Sequence, residues 1–165
     1  MLNSIKRLLA IGSLAFLAAC GGSSDERNVV EQAQADPRFS ILVEAVSAAG
    51  LAPTLSGTGP FTVFAPTNDA FAALLVELGA TKEQLLANTA LLTSVLTYHV
   101  VPGKVTAAQV PLDTPITTVE TGTFTVNSSL QITDERGRTA RITQTDIPAT
   151  NGVLHAIDRV ILPSP

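Results

Sequence analysis

The side chains able to do chemistry are few and far apart. Two histidines, His99 and His155, and one cysteine, Cys20, are the whole supply of imidazole and thiol in 165 residues. A zinc site needs three or four ligands at short, regular spacing, and nothing here has it. His155 and Asp158 are three apart in a strand-like run, which sends them to opposite faces. No G-x-S-x-G elbow presents a serine nucleophile. Gly57 and Gly59, followed by Pro60, do not make a phosphate-cradling loop. A nucleophile, a base and an orienting group cannot be assembled from this set. The chain is therefore read as a non-enzyme, with no catalytic residue, no metal and no cofactor.

The remaining candidates have structural readings. His99 continues the helical stripe of Leu92, Val95 and Leu96, which predicts a buried, hydrogen-bonded imidazole, because buried polar groups rarely go unpaired. Its expected partner is the helix start at 67–69. Tyr98 turns toward Leu91 and Val95 and reads as a packing residue. Asp69, in a first helical turn, complements the helix dipole.

Cys20 has a different explanation. Lys6 and Arg7 precede an apolar run from Leu8 to Ala19 that is too short to span a bilayer comfortably. The run ends in small residues, Ala18 and Ala19, directly before the cysteine. This pattern resembles a bacterial lipobox: residues 1–19 are removed and Cys20 takes the lipid. Several acyl chains on one terminus hold a protein to a membrane stably. Gly21 after the cysteine, rather than Asp, points by the same resemblance to the outer membrane. With no second cysteine, no internal disulfide forms.

Loss of a 19-residue signal from 165 leaves 146 residues, a usual size for one domain. The hydrophobic fraction of 45% against 15% charged indicates a globular chain. The formal charge of −4 becomes −6 once Lys6 and Arg7 are removed. That balance excludes a nucleic-acid partner, which requires clustered Lys and Arg. Arg136, Arg138 and Arg141 are the one basic cluster, and they read as a solvated hairpin tip around a turn at 135–137.

The elements follow from capping and periodicity. Residues 20–27 read as a flexible Gly/Ser tether and 28–34 as a short helix. Asp36-Pro37 predicts a capped helix start, with Phe39, Leu42, Val43 and Val46 on its apolar face and Gly50 at its end. A strand at 61–65 is broken by Pro66 and followed by a helix with Phe71, Leu74, Leu75 and Leu78 inward. Thr81 and Gln84 match a capping box. Asn88 caps a further helix, and Pro102-Gly103 ends the helical half. Strands are then predicted at 116–119, 124–126, 130–133, 139–143 and 153–162, with Asn151-Gly152 as a turn of positive φ. Helices first and antiparallel strands after make the fold class α+β, with residues 28–165 as one domain.

Three segments carry a resemblance: GPFTVFAPTNDAF from Gly59 to Phe71, the run Tyr98-His99-Val100-Val101-Pro102-Gly103, and DIPATNGVLHAIDRVILP from Asp146 to Pro163. In order and at this spacing they resemble the fasciclin-like domain, from about residue 28 to the end. The resemblance implies helices packed on a twisted antiparallel β-sandwich. It also implies adhesion or extracellular interaction, in animal members through the positions of Tyr98-His99 and Asp146-Ile147. The expected function is a lipid-anchored cell-envelope module with the membrane as one partner and a surface or matrix protein or polysaccharide as the other. Asp146, Ile147 and the loop through Pro148 and Asn151 are the first interaction candidates, with Tyr98 and His99 beside them. A small-ligand pocket between helices and sheet, or a purely structural envelope role, are the alternatives.

Overall fold

The computed structural model describes residues 26–165; the signal segment 1–19, Cys20 and the tether as far as residue 25 lie outside them. Helix α1 (Val29–Ala35) starts at Asn28, whose side chain accepts the amides of Val30 and Glu31 while Glu31 reaches back to the Asn28 amide, a complete capping box. Asp36 accepts the Arg38 amide and opens a 3-10 turn, Pro37–Phe39, that runs into α2 (Ser40–Ala48). Gly50 follows with φ 68°, which an L side chain rarely adopts. One turn of helix, α3 (Ala52–Leu55), leads to strand β1 (Phe61–Pro66). Then come α4 (Asn68–Leu78), capped by Thr67, α5 (Lys82–Ala87), with the Thr81–Gln84 capping box, and α6 (Thr89–Tyr98), capped by Asn88.

The strands are β2 (Val100–Pro102), β3 (Ile116–Thr117), β4 (Thr123–Val126), β5 (Gln131–Thr133), β6 (Thr139–Ala149) and β7 (Gly152–Ile157). They form one sheet in the order β2-β1-β7-β6-β5-β4-β3. The Val119 amide, just past β3, donates to Val100 O of β2 at 2.8 Å, so the sheet curls until its two edges meet. The fold is α+β, with a nearly closed, barrel-like sandwich.

Two cores result. Val63, Ala65, Leu154 and Ala156 on one face of β1 and β7 pack against Phe39, Leu42, Val46, Phe71, Leu74 and Leu96 of the helices. Phe64, Ile157, Phe124, Val126, Ile132 and Ile142 fill the inside of the curl with Tyr98 and Ile161. β1 and β7 are thus covered on both sides, and every residue of β7 is buried. This suits the parallel pairing they make, which the antiparallel expectation did not include.

Several further expectations are corrected. β7 stops at Ile157, not at 162, and residues 158–165 form no strand. β6 runs on to Ala149 through two register shifts, across Gln144-Thr145-Asp146 and Pro148, which look like strand breakers. β2 and α3 are short elements that periodicity does not reveal. Leu78 is 46% exposed rather than inward. Asn151 and Gly152 do not have positive φ. Gly152 is required for another reason: a Cβ there would collide with the backbone of Phe61, its register partner in β1.

Candidate interaction site

The two shifts in the β6–β7 register bend β6 and leave Asp146 in the left-handed region at φ 57°. Asp tolerates this conformation better than most residues. Three contacts fix it there. The Asp146 amide donates to Nδ1 of His155 at 3.2 Å, and His155 Nε2 donates to Val105 O at 2.9 Å. The Asp146 carboxylate accepts the Ala107 amide at 2.8 Å, at the start of the 3-10 turn Ala107–Gln109. The loop before that turn is also held from β1, where buried Thr62 donates to Gly103 O and accepts the Val105 amide. His155 is thus a strut between a bulge and a loop.

The interaction candidates separate by burial. Asp146 is exposed and Pro148 half-buried. Ile147 alternates inward into the helix-side core and is 8% exposed. Asn151 is equally buried, and its amide group is fully used. Its Oδ1 accepts the Val29 amide at 2.8 Å, and its Nδ2 donates to Leu55 O and Gly57 O at 2.8 and 2.7 Å. It clamps the start of α1 and the end of α3 onto the β6–β7 turn.

Tyr98 and His99 are also interior. The Tyr98 hydroxyl donates to Thr123 O at 2.6 Å and accepts the Glu135 amide, and its ring meets Phe124 edge-on at 6.1 Å. Burial pushes its phenol well above the usual range. The expected partner of His99, the helix start at 67–69, is not the one observed. As the cap of α6, its ring lies back over its own last turn: Nδ1–H donates to Val95 O at 2.7 Å, and Nε2 accepts the Ile161 amide at 3.2 Å. Burial away from water disfavours the charged ring and pushes its pKa down to about 4. Neither residue presents atoms to the outside.

Two hollows remain. One lies between the helices and the sheet, lined by Val30, Leu42, Val46, Leu55, Val63 and Leu154 among others, and measures about 20 Å³. That suits a single water by size but not by its apolar lining. The other, about 230 Å³, is a shallow surface hollow at Arg38, Thr67, Asn68 and Asp69. Two of its polar side chains are engaged: Arg38 forks onto Asp36 and reaches Gln144, and Asn68 accepts the Ile41 amide while donating to Pro37 O. The basic cluster is likewise not simply solvated. Arg138 pairs with Glu77 of α4 at 2.5 Å, and Arg136 donates to Pro163 O.

Sequence reading missed Asp134, a buried carboxylate that accepts the amides of Arg136, Arg138 and Leu162. The signal was available: an Asp opening a turn tends to bind its own backbone two residues on. What could not be read was its reach to residue 162.

The fasciclin domain family matches residues 37–163 of this chain. Protein sll1483 of Synechocystis sp. is 48% identical over 137 residues, covering 82% of this chain and 73% of its own. Immunogenic protein MPB70 of Mycobacterium bovis is 32% identical, covering 82% of this chain and 68% of its own. A solved FAS1 domain pair from the insect cell adhesion molecule fasciclin I superposes with a TM-score of 0.74 at 17% identity, over 84% of this chain and 51% of that one. With a family match across most of its length and relatives well above 30% identity, the chain belongs to the fasciclin domain family.

Proposed function

We propose that this chain is a non-catalytic adhesion or interaction module, tethered to the cell envelope by a lipid on Cys20 and meeting a surface or matrix protein or polysaccharide through the face around Asp146. Membership in the fasciclin family supports the contact function, as does the likeness to an insect cell adhesion molecule. The observation that carries the site is the exposed Asp146 carboxylate on a bulge immobilised by His155 and Ala107. A charged group already held in place loses little freedom on binding. Both histidines have both ring nitrogens committed to backbone groups, which leaves neither as a free base. A small-ligand role has less support, since ligand pockets of about 300 Å³ or more are the rule and the inner hollow is far smaller.

The test is binding of the purified protein to envelope fractions, cells and matrix. Asp146→Asn keeps the tolerance for positive φ and an oxygen for the Ala107 amide while removing the charge. Binding should fall in Asp146→Asn at an unchanged melting curve. Full binding in this variant refutes the site, and no binding by the parent protein leaves the structural envelope role instead.

A further inference from the structure

The chain does not end as it runs elsewhere. From Arg159 to Pro165 no backbone group bonds to another backbone group among the described residues. Yet Val160, Ile161 and Leu162 are 0%, 1% and 7% exposed. Val160 and Leu162 belong to the helix-side core and Ile161 to the core inside the sheet, so the segment closes the seam between the two. Three of its amides donate to side chains alone. Ile161 N–H donates to His99 Nε2, Leu162 N–H to Asp134 Oδ2 at 3.0 Å, and Ser164 N–H to Glu135 Oε2 at 2.9 Å. A sheet ladder is indifferent to mild acid. These three acceptors are all bases, and a proton weakens or abolishes each.

His99 is the most sensitive of them. Its Nδ1–H is already committed to Val95 O, so an added proton must go to Nε2 and turn an acceptor into a donor aimed at the Ile161 N–H. Of the charges around the segment, the Asp134 carboxylate favours the protonated ring, though less strongly than burial disfavours it. Glu135 also accepts the Thr123 amide. Arg136 donates to Pro163 O, while Arg138 and Arg159 both pair with Glu77 of α4. Asp158, where the segment begins, accepts the Arg141 amide, and the Tyr98 hydroxyl sits against the Glu135 amide. Glu120, farther along the same side, bonds Ser94 and Gly122. The guanidinium contacts persist in acid, but they hold only the two ends.

We propose that residues 159–165 are an acid-released strap: protonation of His99 frees the segment and uncovers the apolar seam between the cores while the sheet stays folded. The test is amide hydrogen exchange by NMR on the full chain from pH 7.5 to 3.5, corrected for intrinsic exchange. With His99 at about 4 when covered and about 6.5 when free, proton uptake alone should reduce protection at Ile161 and Leu162 about 100-fold between pH 7 and 4. Amides of β1 and β7 should keep theirs. Ring nitrogen shifts of His99 should report protonation over the same pH range as strap opening. His99→Gln, which keeps an acceptor oxygen and does not titrate in this range, should flatten the profile at Ile161. The wild-type exchange and ring shifts decide the matter if that variant does not fold. Strap amides still protected at pH 4, loss of protection together with the sheet, or opening without His99 protonation would each overturn the proposal.

Discussion

His99 and Asn151 show how much a single polar side chain holds when both of its ends are used. Removing the His99 ring leaves the buried Ile161 amide without its partner, while Val95 O keeps the backbone amide of residue 99, and an unsatisfied buried group costs about 1–3 kcal/mol. His99→Ala should lower the free energy of unfolding by at least that much in a urea melt at pH 7.5. In the parent protein the same residue makes stability depend on pH. The fold holds the ring neutral down to about pH 4, whereas the unfolded chain takes up the proton near 6.5. Its contribution is therefore complete above pH 6.5 and is lost as the pH falls toward 4, by about 3 kcal/mol. Urea melts at half-unit steps check this, and a flat profile between pH 6.5 and 4.5 contradicts it. Asn151→Asp keeps the acceptor for Val29 but turns a carboxylate toward Leu55 O and Gly57 O. It should destabilise by about 2–4 kcal/mol at pH 7, with part of the loss recovered near pH 3, where the added carboxyl protonates and can donate. Thermal melts of the variant at the two pH values, each read against the parent, measure the difference.

At the scale of elements, the parallel contact between β1 and β7 joins the two halves of the chain. It pairs residues about 90 apart, from Phe61–Gly152 to Pro66–Ile157. It forms only because Gly152 lets the Phe61 backbone come close. Gly152→Ala should therefore act far beyond one methyl group. The obstacle is backbone, which cannot rotate away, so a loss on the order of 3 kcal/mol or more is expected. A denaturant midpoint within error of the parent would show that the pairing tolerates a side chain. Helix ends, by contrast, are local affairs. The capping box at Thr81 was read in the sequence because its residues lie three apart and need nothing else, whereas the one at Asn28, a residue read as part of the helix, was missed. Strand β6 was half legible. Its first five residues alternate, while the part that carries Asp146 follows a bulge that only its pairing with β7 creates.

For the whole molecule, the expected arrangement is a compact domain on a short lipidated leash. No helix among the described residues is long and apolar enough to cross a membrane. If Cys20 is the anchor, Cys20→Ser should abolish fatty-acid incorporation in metabolic labelling and leave the signal uncleaved by the lipoprotein peptidase. Label at the parent level in the Ser variant would dismiss the anchor and leave the domain reading intact. The sequence by itself determined the family, the α+β class, the helix caps and the interior fate of Tyr98 and His99. Those follow from contiguous motifs and from periodicity along one element. It did not determine that Asn151 and Ile147 are buried while Asp146 is exposed, that His99 bonds Ile161, or that the last residues form a strap held by His99, Asp134 and Glu135. Each of these depends on segments tens of residues apart meeting at a particular register, and register is set by the packed sheet, not by local propensity.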